Sequence, residues 1–414
     1  MSEAAAVYLV PDESLDRLTA SGPIDVVAGV YVANQAGRIE GVLDAVGSGL
    51  ESCAGSRRIG VLVADAGSQD GTADIVSAWC ASGGSAPLRG CLEVIAPKHR
   101  GRALGALLLA AQRLGARAVV LLDADLSGVH EAWLRALLEP LFREEADYVS
   151  PAYARSVSEG TLTTNLLAPL TKALYGVPVQ QVMGGCAGLT GKAIGSWLMP
   201  ALDAAPWQAH GAELWLTTAA LASGARVAET SLDRKVMVPG GPQPDLPTIL
   251  VRTVGSLFAL MDRYQTVWLE RSESAVPSLH GDPTKIQADA RDPAVEQMVR
   301  AFGLGLKDLL PVWEQIMPES TLGQLYPLVL LDSDEFRLPP ALWARMVSDF
   351  AVAHHERRVP RDHLLRALTP LYLGRVAAFI VQARATPLDR VPRIFETIDR
   401  AFEDERQHLV SRWR

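Results

Sequence analysis

Two aspartates one residue apart, Asp123 and Asp125, close the run Ala118-Val-Val-Leu-Leu-Asp-Ala-Asp-Leu-Ser127. Five apolar residues leading straight into a pair of acids read as a strand buried on both faces. The end of such a strand opens into the crevice at the carboxyl edge of a parallel sheet, where open α/β folds bind ligands. Two carboxylates there repel each other and lose hydration unless a cation lies between them. Hard oxygens, completed by waters and substrate phosphates, suit Mg²⁺ or Mn²⁺. The chemistry offered is a clamp on a metal–diphosphate. Taken alone, the pair also reads as an acidic strand-to-loop junction.

Other loops carry compatible chemistry. Asp65-Ala-Gly-Ser-Gln-Asp-Gly-Thr72 gathers a carboxylate, small residues and a helix start, and can present N–H groups and an acid to a nucleotide. The same residues would serve as a helix cap and tight turn. Arg100-Gly-Arg102 could hold a diphosphate bidentately, or be a solvated basic turn.

The elements that must position these groups alternate. Strands are expected at 24–33, ending at Asn34-Gln-Ala-Gly37, and at 59–64, 91–96 and 118–123. Helices are expected over 38–50, from 72 to about 80 and to about 115. Strands alternating with helices mean βαβ units, a mostly parallel doubly wound sheet, and a site on the strand-end loops.

Asn34, the Asp65-x-Gly-Ser-x-Asp-Gly-Thr loop, Arg100-Gly-Arg-Ala and Asp123-x-Asp, in that order, resemble the nucleotide-sugar domain of GT-A glycosyltransferases. Further on come a strand at 147–155, Glu159-Gly-Thr-Leu-Thr-Thr-Asn165, Gly184-Gly185, His210-Gly-Ala-Glu213 and Arg234-Lys-Val-Met237. This succession resembles the retaining synthases of glucosylglycerate and glucosyl-3-phosphoglycerate over residues 24–270. The resemblance implies a donor site of Tyr31, Val32, Asn34, Asp65, Ser68, Arg100, Arg102, Asp123, Ala124, Gly184 and Gly185. It implies metal ligation by Asp123 and Asp125, with Asp125 and Glu213 central to catalysis. Gly160, Thr161, Thr163, Asn165 and Lys235 would form the acceptor site. The donor would be UDP- or GDP-linked glucose or mannose, and the acceptor D-glycerate or a similar small hydroxy acid.

Departures accompany the matches. Met237 stands where the resemblance has a third metal ligand, a histidine, and a thioether suits Mg²⁺ or Mn²⁺ poorly. Gln180-Gln-Val-Met-Gly-Gly-Cys-Ala187 lacks the arginine and the acid that flank the double glycine in that family. Thr161 replaces an arginine found where the acceptor is phosphorylated, which argues against a phosphorylated acceptor. His99, His130 and His210 lie on or near strand-end loops and could substitute as ligands, or be structural. A different acceptor, or a degenerate sugar-nucleotide-binding scaffold, are the rival readings.

Composition frames these expectations. The chain has 414 residues, 49% hydrophobic and 21% charged, as in an ordinary globular protein, enough for two domains at roughly 150 residues each. A net charge of −8 and no basic run speak against nucleic acid. Cys53, Cys80, Cys91 and Cys186 form no C-x-x-C pair and read as small core residues. With neither a signal-peptide pattern nor an uninterrupted apolar stretch of ~20 residues, the expectation is a cytoplasmic protein without a membrane span. Pro239–Pro247 reads as a lid or linker, and 274–292, with Pro277 and Pro283, as a boundary. The expected domains are 1–272, catalytic, and 290–414, all-α, the latter apolar enough to suggest a homodimer. Pro370 is expected to break or kink a helix over 362–383, and His354-His355-Glu356-Arg357-Arg358 to be a solvated helix end.

Overall fold

The structure, a computed structural model, describes residues 9–82, 88–96, 98–198, 211–271, 274–282, 285–289 and 294–414. Among them the strands are β1 Val26–Val32, β2 Ile59–Asp65, β3 Leu88–Leu92, β4 Ala118–Asp123, β5 Leu126–Ser127 and β6 Tyr148–Tyr153. They continue with β7 Arg155–Ser156, β8 Cys186–Thr190, β9 Val227–Leu232, β10 Val236–Met237, β11 Ser278–His280 and β12 Ile286–Gln287. Eight of them form one sheet in the order β11-β9-β6-β8-β4-β1-β2-β3. β8 alone runs antiparallel to its neighbours β4 and β6. The expected mostly parallel GT-A-like sheet is therefore observed.

Every residue of β1, β2 and β4 is buried, which is why these strands read as unbroken apolar runs. Helices Ile39–Ala54 and Glu131–Phe142 cover one face, where Leu43, Val46, Leu134 and Leu138 join Val30, Val61 and Val120 in a single core. The chain leaves β1 towards β2 and β3 on one side, and β4 lies on the other, so β1 stands at a topological switch point. The parallel register aligns Val32 with Asp65 and Tyr31 with Asp123, bringing three strand ends level at one edge.

Two compact units divide the chain, and they are interleaved in sequence. The first comprises residues 1–153, 183–243 and 277–284; the second comprises 154–182, 244–276 and 285–414. This differs from the expected boundary at 272–290. The reason is packing: the C-terminal helices bury their aromatic residues against the two earlier segments. Trp268 packs edge-on to Trp413 with centroids 5.1 Å apart, and the Trp343 indole N–H donates to the Asn165 carbonyl at 2.5 Å.

Helix Arg361–Arg384 runs on through Pro370 without the expected break. The Pro370 ring lies against Gly305, so near that a side chain at 305 would meet it at 2.4 Å. Packing of the ring against Gly305 thus supports the helix at the lost hydrogen bond. The same helix is long and apolar enough to cross a membrane by length and composition, and 78% of its apolar window is buried inside the protein. The expected solvated end at His354 and His355 is also corrected. His354 is 2% exposed, and the His355 ring stacks on Trp413 at 4.4 Å with Nδ1 2.6 Å from Asp262. Of the cysteines only Cys186 is buried, and Cys91 is exposed.

Candidate active site

β4 delivers Asp123 and Asp125 to the sheet edge with 2% and 4% exposure. All four carboxylate oxygens have partners. Asp123 Oδ1 accepts from the Asp125 N–H at 2.9 Å, and Asp125 Oδ1 accepts from the Gln35 side-chain amide at 2.7 Å. The two Oδ2 atoms are both taken by Arg100, whose guanidinium forks across the pair, one Nη to each. Burial pushes the Asp123 carboxyl up to about 7, against the pull of Arg100, and Glu213 and Asp125 add to the rise.

The double glycine joins this centre through β8, whose antiparallel register sets Cys186 opposite Leu122. The Asp123 N–H donates to the Gly185 carbonyl at 2.7 Å. Gly184 is required because a Cβ there would meet the Pro151 ring at 2.5 Å, and Gly185 because its φ is +79°. Glu213, in the first turn of helix Ala212–Ala222, connects the turn to β1. One carboxylate oxygen accepts from the Gly185 N–H at 2.7 Å and the other from the Tyr31 hydroxyl at 2.8 Å. Burial, reinforced by Glu213, holds the Tyr31 hydroxyl well above its ordinary pKa, so it stays a donor. Cys186, where the resemblance has an acid, is buried beside the Tyr153 hydroxyl at 3.1 Å, and burial pushes its thiol up to about 12. Lys235 donates to the Met183 carbonyl at 2.9 Å and lies over the Tyr153 ring.

The nucleotide-side residues form a second group. Asp65 accepts from the N–H groups of Gly67 at 3.0 Å and Ser68 at 3.1 Å, and from the Ser68 hydroxyl. Asn34, at φ +54°, donates its N–H to the Ser68 hydroxyl at 2.8 Å, and its side chain accepts from the Gln69 N–H at 2.8 Å. The two loops are thereby tied together at the ends of β1 and β2. Gly240 packs on Asn34, where a Cβ would fall 1.6 Å from the Asn34 carbonyl oxygen. Val32 and Ala124 are closed off, at 1% and 0% exposure, so only their backbone can take part in a site. Arg102 is turned onto the Ile95 carbonyl at 3.0 Å.

The expected acceptor residues divide. Lys235 belongs to the first unit, and Gly160, Thr161, Thr163 and Asn165 to the second. The Thr161 hydroxyl lies 2.7 Å from the Tyr372 hydroxyl. Asn165 is fully buried; its side chain donates to the Thr161 carbonyl at 3.1 Å and accepts from Arg375 Nε at 2.9 Å. With both ends of its amide spent inside the unit, Asn165 is a strut and not a contact for a ligand.

A divalent cation can be tested against these donors. β10 pairs with β5 so that Met237 stands opposite Leu126, the residue after Asp125. His99 and His130 are helix caps, their Nδ1 atoms accepting from the Arg102 and Ala132 N–H groups at 3.3 and 3.2 Å. His210 lies outside the described residues. Among the described residues no group of three or more His, Cys, Asp or Glu is arranged to hold a metal. Two buried carboxylates with a third acid near fit an Mg²⁺ or Mn²⁺ ion completed by phosphate oxygens and water. They do not fit a cage built from protein alone. Gln35, unforeseen from the sequence, steadies Asp125 while also donating to the Val238 carbonyl at 2.6 Å. Its only signal was its place next to Asn34 at a strand end.

Residues 32–189 match the model of glycosyl transferase family 2. No curated protein sequence matches the chain. Among solved structures, glucosyl-3-phosphoglycerate synthase from Mycobacterium tuberculosis, with phosphoglyceric acid, is 21% identical; the match covers 61% of this chain and 83% of that one, with TM-score 0.44. Mannosyl-3-phosphoglycerate synthase from Rubrobacter xylanophilus is 18% identical over 62% of this chain and 79% of its own, with TM-score 0.41. A mannosyltransferase from Pyrobaculum calidifontis, with GDP-mannose and Mn²⁺, is 16% identical over 99% and 93%, with TM-score 0.40. From the end of β1 to β8 the chain is similar to a glycosyl transferase family 2 domain, and that match supports a glycosyltransferase on a GT-A-like sheet.

Proposed function

We propose that the protein transfers glucose or mannose from a nucleoside diphosphate sugar to D-glycerate or a similar small hydroxy acid. The observation that carries this reading is the network at the ends of β1 and β4. There the paired aspartates, Arg100, Tyr31, Glu213 and the Gly184–Gly185 turn meet through direct hydrogen bonds. Asp123 and Asp125 would hold Mg²⁺ or Mn²⁺, which neutralises charge on the leaving diphosphate when bound. Arg100 supports the same charge from the N-terminus of helix Arg100–Arg113. Asn34, Asp65 and Ser68 face the nucleotide. Glu213, held between Tyr31 and Gly185, orients the sugar or the acceptor hydroxyl. The sequence resemblance assigns Gly160, Thr161 and Thr163 to the acceptor, and retention of anomeric configuration follows the same resemblance.

Met237, opposite Leu126, favours a second reading, a sugar-nucleotide-binding scaffold without turnover. One experiment separates the two. The purified protein is incubated with UDP-glucose, GDP-glucose or GDP-mannose and D-glycerate, with Mg²⁺, Mn²⁺ or chelator. Release of nucleoside diphosphate together with a new glycoside supports the proposal. Binding without turnover with every pair moves it to the scaffold or to another acceptor.

A further inference from the structure

We propose that Arg100 is an internal counter-ion of the aspartate pair, which keeps a divalent cation out until a nucleoside diphosphate arrives and draws the guanidinium away. The inference rests on the donor site proposed above. Its basis is which oxygens remain. Asp123 Oδ1 and Asp125 Oδ1 are committed to the Asp125 N–H and the Gln35 amide. The oxygens that both acids can turn on one cation are the two Oδ2 atoms, and Arg100 bonds both. A metal ion and the guanidinium therefore compete for the same pair of atoms.

The balance of that competition depends on the diphosphate. Unaided, an entering cation gains two protein oxygens, and among the described residues no group of three or more His, Cys, Asp or Glu is arranged to add a third ligand. It also strips Arg100 of both its anionic partners, and a partly buried charge left unpaired is costly. A diphosphate changes both sides of the exchange. Its oxygens complete the metal shell and give the guanidinium a new bidentate partner. The structure allows the movement: the Arg100 side chain is 26% exposed, whereas those of Asp123 and Asp125 are 1% and 6% exposed. Arg100 also begins a helix of 14 residues, whose N-terminal N–H groups and dipole favour an anion at that end. Arg100 thus acts as a positioning residue that couples metal to nucleotide.

The test is calorimetric and needs no turnover. MnCl₂ is titrated into the purified full chain alone, with saturating UDP and with saturating GDP, for wild type, Arg100→Gln and Arg100→Lys. In wild type, nucleotide raises Mn²⁺ affinity at least about tenfold, and by reciprocity Mn²⁺ raises nucleotide affinity by the same factor. Arg100→Gln binds Mn²⁺ without nucleotide about tenfold more tightly than wild type and is stabilised thermally by it. Arg100→Lys, which keeps the charge but not the fork, falls between them. The idea is overturned if wild type binds Mn²⁺ equally with and without nucleotide, or if Arg100→Gln gains nothing. Equal nucleotide binding in Mn²⁺ and in chelator also overturns it, since the guanidinium would then replace the metal outright. If neither nucleotide binds under any condition, the donor reading falls and the handover with it. If nucleotides bind but Mn²⁺ affinity responds neither to them nor to Arg100→Gln, only the handover falls.

Discussion

Substituting Glu213 by Gln or by Ala separates its charge from its bridging role. Its carboxylate accepts from the Gly185 N–H at 2.7 Å and the Tyr31 hydroxyl at 2.8 Å, and Tyr31 is 2% exposed. Gln can keep both contacts, with its carbonyl on the Gly185 N–H and its amide donating to a rotated Tyr31 hydroxyl. The loss is of charge assistance, about 1 kcal/mol per bond. Relief of repulsion with Asp123 offsets part of this, so Glu213→Gln is expected to destabilise by about 1 kcal/mol. Ala leaves both donors unpaired at about 1–3 kcal/mol each, or about 2–6 kcal/mol together. Urea unfolding of both variants, alongside donor turnover, gives the comparison. Transfer is expected to fall at least about a hundredfold in both variants, as befits a group acting in the transition state. Equal destabilisation by Gln and Ala would refute the two-acceptor bridge. Full turnover by Glu213→Gln would refute any need for its charge.

Four further outcomes are expected. Asp125→Ala abolishes metal-dependent nucleotide binding by calorimetry while circular dichroism stays native, since Gln35 keeps its bond to the Val238 carbonyl. Gln35→Ala frees the Asp125 carboxylate and weakens metal-dependent nucleotide binding roughly 10–100-fold in the same titration, and leaves a buried acceptor unpaired at a cost of about 1–3 kcal/mol. Gly184→Ala forces a Cβ to 2.5 Å from the Pro151 ring and should cost about 1–3 kcal/mol in urea unfolding. His354 is held neutral, its pKa lowered from 6.5 to about 4 by burial, with the Arg361 charge adding to this. The unfolded chain takes up that proton first as pH falls, so stability present above 6.5 is lost towards 4, by up to about 3 kcal/mol. Unfolding of His354→Leu measured across that range should lack this component; an unchanged slope would refute the assignment.

The features legible in the sequence were those with a local cause. Unbroken apolar runs marked β1, β2 and β4, because strands buried on both faces need no polar alternation. The alternation with helices gave the sheet class, and the acids at the end of β4 gave the position of the site. The oddity of Met237 was visible too, and the pairing of β10 with β5 puts it opposite Leu126, the residue after Asp125.

What only the tertiary structure decided were partners far apart in the chain. Gln35 reaches Asp125 across 90 positions, and Glu213 reaches Tyr31 across 182, because sheet order and register bring those ends level. The same holds for Arg100, read from the sequence as a diphosphate ligand and found across both aspartates. Asn165 looked like an acceptor contact by resemblance, yet Trp343 and Arg375 enclose it from 178 and 210 positions away. The interleaved units have the same origin. Residues 154–182 and 244–276 join the C-terminal helices because those helices must bury apolar faces, and neither local periodicity nor composition records which distant segment will cover them.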